Sequence, residues 1–114
     1  MEKTLFEKII DGEIPAQKVW EDEYCIAIRD IKPQAPTHIL VIPRKVIETI
    51  DDVDPSDKTL IGHLTWVAAE IARNEGLASD GYRLVWNCRA AGGQEVYHIH
   101  LHLLGGRPMN WPPG

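Results

Sequence analysis

Near its C-terminus the chain reads His98-Ile99-His100-Leu101-His102-Leu103-Leu104, polar and apolar residues in strict alternation. A period of two belongs to a β-strand, whose successive side chains point to opposite faces of the sheet. The spacing therefore predicts a strand over Val96–Leu104, with His98, His100 and His102 on one face and Tyr97, Ile99, Leu101 and Leu103 on the other. A single strand histidine is usually a packing residue with satisfied nitrogens. Three in alternation set rings of unperturbed pKa about 6.5 side by side and couple their protonation, which fold stability does not require and acid–base or ligand chemistry does.

The remaining sequence surrounds that strand with further elements. Thr4 with Glu7 three residues on is a capping-box pattern ahead of Leu5, Phe6, Ile9 and Ile10, so a short helix is expected to end near Gly12. Val19-Trp20 and Tyr24–Ile28 read as two strands joined through the acidic turn Glu21-Asp22-Glu23, the second closed by Asp30. Lys32–Pro36 reads as a loop, because Pro33 and Pro36 each lack an N–H and hold the preceding residue extended. His38–Ile42 is a β-prone run stopped by Pro43, as in a central strand buried on both faces. Asp54-Pro55 is an N-cap with proline at the first helical position, and Leu60, Ile61, Leu64, Val67, Ala68 and Ile71 recur at helical spacing up to Gly76. Tyr82–Asn87 returns to extended structure, and Cys88–Gln94 is expected to be a loop around Gly92-Gly93. Grouped strands with segregated helices predict an α+β fold: an antiparallel sheet, one long helix on one face, and a short N-terminal helix.

Size and charge narrow the function classes. At 114 residues, halves of this chain would each fall short of a core, so residues 1–114 are expected to form one domain. There is no run of the roughly 18 apolar residues a membrane span needs, and Met1-Glu2-Lys3-Thr4 does not lead into a signal-peptide core; a cytoplasmic protein without a membrane partner is expected. Cys25 and Cys88 are far apart and show no Cys-x-x-Cys spacing, which fits two reduced thiols. The net charge of −5 provides no positive field for a long nucleic acid. A small anion is a different matter, because backbone N–H groups in turns bind it without altering net charge.

Two chemistries fit the histidine row. Alternating imidazoles supply two or three nitrogen ligands to zinc, or one neutral ring attacks an electrophile while its neighbours orient it and protonate the leaving group. Spacing alone does not separate them. Upstream stand Asn87 and then Gly92-Gly93-Gln94-Glu95, a glycine turn able to aim N–H groups at an oxyanion. Neither a P-loop nor a dinucleotide fingerprint is present.

The run His98–Leu104 resembles the His-apolar-His-apolar-His-apolar-apolar signature of the histidine-triad (HIT) nucleotide hydrolases and transferases. Asp30-Ile31-Lys32-Pro33-Gln34-Ala35-Pro36-Thr37-His38, Gly92-Gly93-Gln94 and the tail Gly105–Gly114 are similar to the Hint branch of that family, the purine nucleoside phosphoramidases. The similarity runs from about Phe6 to the C-terminus.

The resemblance implies that His100 attacks the α-phosphorus of a purine nucleoside monophosphate derivative, forming a nucleotidyl-histidine that water then hydrolyses. His102 would contact phosphate oxygens and leaving group, while His98 and His38 would belong to the hydrogen-bond chain that fixes the tautomer of His100. Asn87, Gly93, Gln94 and Glu95 would line the phosphate, Asp30 would accept from the ribose hydroxyls, and Phe6, Ile9, Ile14, Ile31 and Leu40 would form the purine pocket. For Ile14 and Leu40, ordinary core packing is an equally good reading, and Asp30 equally suits a turn at a strand end. No metal or cofactor is implied. Where animal Hint proteins carry Ser, this chain has Glu95, whose side chain is expected to turn to solvent rather than to meet a cationic leaving amine. The branch forms dimers, and the Val67, Ala68, Ile71 stripe with Trp66 fits either a two-fold helix contact or the core. The Trp111-Pro112-Pro113 tail would lie near a partner's site. Rival readings are a dinucleoside polyphosphate hydrolase, disfavoured by the Hint-like flanks, and a nucleotide-binding regulatory module.

Overall fold

The computed structural model describes residues 2–114, and one antiparallel sheet organises them. Helix α1 (Leu5–Ile10) begins at the capping box: Thr4 Oγ1 accepts the Glu7 N–H, and the Glu7 carboxylate accepts the Thr4 N–H. Strands β1 (Lys18–Glu21) and β2 (Cys25–Arg29) are joined by a turn in which Asp22 Oδ1 accepts the N–H groups of Tyr24 and Cys25. Strand β3 (Thr37–Pro43) follows the proline-bearing loop and carries Pro43 as its last residue. Helix α2 (Lys58–Asn74) starts later than the Asp54-Pro55 pattern predicts, because those residues cap a separate one-turn 3₁₀ segment, Pro55–Asp57. It ends before Gly76, whose φ of 76° lets the Leu77 N–H return to the Ala72 carbonyl. Strand β4 (Tyr82–Val85), helix α3 (Arg89–Gly92) and strand β5 (Leu101–Gly105) complete the chain. The strand order is β1-β2-β3-β5-β4. Among the described residues, no helix is long and apolar enough to cross a membrane.

Alternation along the strands gives the sheet two unlike faces. Cys25 and Ala27 of β2, Ile39 and Val41 of β3, and Leu101 and Leu103 of β5 pack under Leu64, Val67, Ala68 and Ile71 of α2. This is the expected sheet-and-long-helix layer. On the other face Ile26, Ile28, Leu40 and Ile42 form a second cluster with Phe6 and Ile9 of α1. The continuous apolar reading of β2 and β3 follows from burial on both sides. The Val67–Ile71 stripe is thereby engaged in the chain's own core, so it is not available for a two-fold contact; Trp66 alone of that group is exposed, at 52%.

Three local expectations are corrected. Regular strand begins at Leu101, not Val96: the ladder with β3 runs from Thr37↔Gly105 to Val41↔Leu101. Beyond it lies Pro43, which has no N–H to donate, and the Ile99 N–H instead reaches the Ile47 carbonyl at 2.8 Å. Tyr97 is 40% exposed rather than core, although Ile99, Leu101 and Leu103 are buried as predicted. The Cys88–Gln94 loop contains α3, because Gln94 Oε1 accepts the Arg89 N–H and the Gln94 N–H donates to the Arg89 carbonyl. The tail is ordered against the sheet: Arg83 donates to the Asn110 carbonyl and Arg107 to that of Gln34.

Candidate active site

Adjacent strands β3 and β5 bring His38 and His102 to the face opposite α2. In the register His38 faces Leu104 and His102 faces Leu40, so the two imidazoles are diagonal neighbours. Their facing nitrogens, His38 Nε2 and His102 Nδ1, are 2.9 Å apart. His100 and His98 precede β5, with the His100 ring centroid 4.9 Å from that of His102. Phe6 of α1 stands edge-on against both His98 and His100. The four histidines named from the sequence therefore form one cluster, held between the sheet and α1.

The hydrogen-bond network assigns a tautomer to each ring, since a carbonyl only accepts and a backbone N–H only donates. The Gln34 N–H donates to His38 Nδ1 at 3.0 Å, so His38 carries its proton on Nε2 and donates to His102 Nδ1. His102 is left with an N–H at Nε2, a buried donor without a partner among the described residues. Such a donor costs on the order of 1–3 kcal/mol while it has no acceptor. His100 Nδ1 donates to the His98 carbonyl at 2.9 Å, which leaves the lone pair of the neutral ring on Nε2. His98 Nε2 donates to the Pro43 carbonyl at 2.7 Å and its Nδ1 accepts from Thr4 Oγ1 at 3.2 Å. Two free nitrogens thus remain on neighbouring rings, one a lone pair and one an N–H.

Burial keeps all four rings neutral. Desolvation lowers the pKa of His38, His98 and His100, with the Asp30 carboxylate opposing it at His38 and His100. His102 is lowered to about 4, first by burial and then by the potential charges of His100 and His38. These folded values lie below the ordinary value of about 6.5, so the unfolded chain binds more protons and stability falls as pH falls from there toward 4. Carboxylates held low in the fold, such as Asp57, act only further down. Denaturation midpoints measured between pH 7.5 and 4.5 are expected to fall, by up to about 1.4 kcal/mol per pH unit for each ring kept neutral. His102→Gln should flatten that slope; an unchanged slope would refute the burial argument.

The metal reading has two geometric candidates. Asp30, His38 and His102 converge, but the 2.9 Å between the facing nitrogens is a hydrogen-bond distance. Two nitrogens at about 2.0–2.1 Å on a tetrahedral ion stand roughly 3.3 Å apart. At Asp22, Cys25 and His63, Asp22 Oδ2 already accepts from Trp20 Nε1 and pairs with His63 Nε2, and burial raises the Cys25 thiol to about 12, away from the thiolate a metal needs. Neither set fits a metal site as built.

The structure sorts the other predicted residues. Asp30 Oδ1 accepts the Lys32 N–H as a turn residue, while Oδ2 lies 3.5 Å from His38 Nε2. Phe6, Ile9, Ile14 and Leu40 gather in the apolar cluster on the histidine face; Ile31 is outside it and 91% exposed. Asn87 and Gly92 border a cavity of about 700 Å³ walled by Arg83, Arg107 and the tail, with none of the imidazoles in its lining. Gly93 N–H and Gln94 N–H donate to the Ala90 and Arg89 carbonyls, and the Gln94 amide bonds the Glu48 and Val96 carbonyls, so these groups shape the glycine turn. Arg89 is held at a φ of 57° there, a left-handed conformation rare for a residue with a side chain. Glu95 is exposed, as expected. Sequence reasoning missed the Gln34 N–H, the Pro43 carbonyl and the second bond of Thr4 Oγ1. Backbone partners leave no mark in side-chain spacing, and the capping-box pattern accounts for Thr4 without a second partner.

A relay of neutral imidazoles on a five-stranded antiparallel sheet defines the histidine-triad class. The comparisons agree: residues 11–109 match the family model described as HIT domain, and the chain belongs to the HIT family. It is 56% identical over 108 residues to the purine nucleoside phosphoramidase of Escherichia coli, covering 95% of this chain and 91% of that one. It is 53% identical to an uncharacterised HIT-like protein of Synechococcus elongatus, covering 99% and 98%. A HIT family hydrolase from Legionella pneumophila has a solved structure that superposes with a TM-score of 0.97 at 58% identity, covering 98% of this chain and 100% of that one.

Proposed function

We propose that this HIT-family hydrolase cleaves the P–N bond of purine nucleoside 5′-phosphoramidates through a covalent nucleotidyl-histidine on His100. The observation that carries the reading is the pair of free nitrogens on adjacent rings: the lone pair of His100 Nε2 and the unpaired N–H of His102 Nε2. That the chain is a nucleotide hydrolase follows from its family and from its likeness to the Escherichia coli phosphoramidase.

In this mechanism His100 Nε2 bonds to the α-phosphorus and the P–N bond breaks, releasing the amine with a proton drawn from solvent. Water then attacks phosphorus, the P–Nε2 bond breaks and a proton passes to solvent, which gives the nucleoside monophosphate and restores the neutral ring. The His98 carbonyl orients His100 and stabilises the positive charge its ring acquires. His102 donates from Nε2 to a phosphate oxygen, with its tautomer set through His38 by the Gln34 N–H. This narrows His102 from a contact to both phosphate and leaving group to a phosphate donor, because its Nδ1 faces an N–H and has no place for a second proton. Asp30 Oδ2 is available to a ribose hydroxyl, and the Phe6–Leu40 cluster with Ile31 provides apolar surface for the base. Two copies pairing in a cytoplasmic setting remain part of the reading: β4 is an unpaired sheet edge, Trp66 is exposed, and Cys25 and Cys88 are free thiols.

Acid-quenched enzyme taken during turnover of an adenosine phosphoramidate is expected to show, by peptide mass spectrometry, an adenylate adduct on His100. Steady turnover with the adduct absent at every quench time, or present on another residue, would sink the covalent reading.

A further inference from the structure

We infer that Thr4 is a positioning residue for the proposed reaction: while it caps α1, its hydroxyl donates to His98 and keeps that ring neutral beside the nucleophile. The inference rests on the phosphoramidase reading above. The direction of the bond follows from its neighbours. His98 is fully buried and its Nε2 lies 2.7 Å from the Pro43 carbonyl, which only accepts, so Nε2 carries the proton and Nδ1 a lone pair. Thr4 Oγ1 lies 3.2 Å from that Nδ1 and accepts the Glu7 N–H at 3.1 Å. Its one proton is therefore directed at His98. A ring bonded at both nitrogens has a single orientation, and the carbonyl of the same residue holds His100 Nδ1 at 2.9 Å. Phe6, on the first turn of α1, stands edge-on against His98 and His100. The short helix thus reaches the attacking ring through one hydroxyl and one aromatic edge.

A hydroxyl suits this place because it donates without bringing charge. Burial lowers the His98 pKa, the Pro43 carbonyl and the Glu7 carboxylate raise it, and His100 lowers it further. The Glu7 carboxylate is tied to the Thr4 N–H at 3.0 Å by the capping box. A capping side chain that offered only an acceptor to Nδ1 would side with Glu7 and draw a proton onto His98. The cationic ring would then stand beside His100 as that ring becomes positive on bonding phosphorus, and like charges in a buried site oppose each other. The cost falls where charge develops, in kcat, and not in KM. Helix capping by itself makes a different demand, because Thr, Ser, Asn and Asp all accept from the first-turn N–H groups.

The test uses the full chain, with kcat and KM for an adenosine 5′-phosphoramidate near neutral pH and long-range proton–nitrogen NMR of the imidazoles. Thr4→Ser and Thr4→Asn keep both the cap and a donor and should stay within about threefold of the wild type in kcat. Thr4→Asp has nearly the shape of Thr4→Asn and keeps the cap without the donor, so its kcat should fall about tenfold below that of Thr4→Asn with KM unchanged. His98 Nδ1, bare in the wild type, should appear protonated in Thr4→Asp. Thr4→Val, with the outline of threonine and no hydroxyl, should lose about three- to tenfold in kcat against Thr4→Ser, a comparison that stands even if Thr4→Asp does not fold. Equal kcat in Thr4→Asn and Thr4→Asp, a loss confined to KM, or a His98 Nδ1 already protonated in the wild type overturns this inference and leaves the phosphoramidase reading standing. Failure of the wild type to cleave the compound overturns both.

Discussion

His100→Gly should leave a folded protein that still binds adenosine monophosphate but cleaves adenosine phosphoramidates about 10⁴-fold or more slowly in kcat. Of the four clustered rings it alone has a free nitrogen that carries a lone pair, since His98 and His38 present their Nδ1 lone pairs to Thr4 and Gln34, and His102 presents its own to His38. No neighbour can replace it without breaking a bond of the relay. In the proposed mechanism, removing it deletes the attacking atom while Asp30, His102 and the apolar cluster remain to hold a nucleotide. Steady-state kinetics with calorimetry of monophosphate binding separates the two effects. Cleavage within tenfold of wild type would show that another group attacks phosphorus.

His102→Ala should cost about 10²–10³ in kcat, the size of losing one preorganised donor to a transition-state oxyanion. The loss should be similar for an amine leaving group and for a better one, such as a nitrophenyl ester of the same nucleotide. That expectation comes from the relay: with the Gln34 N–H on His38 Nδ1 and the His38 N–H on His102 Nδ1, His102 Nε2 keeps its proton throughout. His102→Gln, which retains an N–H, should recover part of the rate. A loss confined to the amine substrate would make His102 the general acid and overturn the tautomer assignment.

How the histidines are arranged was only partly legible beforehand. Alternation separated His98, His100 and His102 from Ile99 and Leu101 correctly even where no strand forms, because an extended backbone alternates its side chains whether or not a ladder pairs it. The strand's start was misplaced for a reason outside the segment: pairing stops where β3 approaches Pro43, and that limit belongs to the partner strand. His38 was placed in the site by resemblance, not by pattern, since its meeting with His102 across 64 residues of chain depends on the register of β3 with β5. The glycine turn was legible as a turn, but not the partners of its amides. The fold directs the Gly93 and Gln94 N–H groups to carbonyls of α3 and the Gln94 side-chain amide to the neighbouring loop, pairings that the composition of the turn does not encode.

By itself the sequence determined the elements that depend on local chemistry: the capping box of α1, the amphipathic face of α2, the doubly buried run of β3, and the sorting of imidazoles from core side chains. Only the tertiary structure decided which nitrogen of each ring is free. That choice is made by backbone groups of Gln34, Pro43 and His98, and a carbonyl or amide contributes the same atoms at every residue. Position in space, which side-chain identity does not encode, therefore separates the His100 lone pair from the His102 donor.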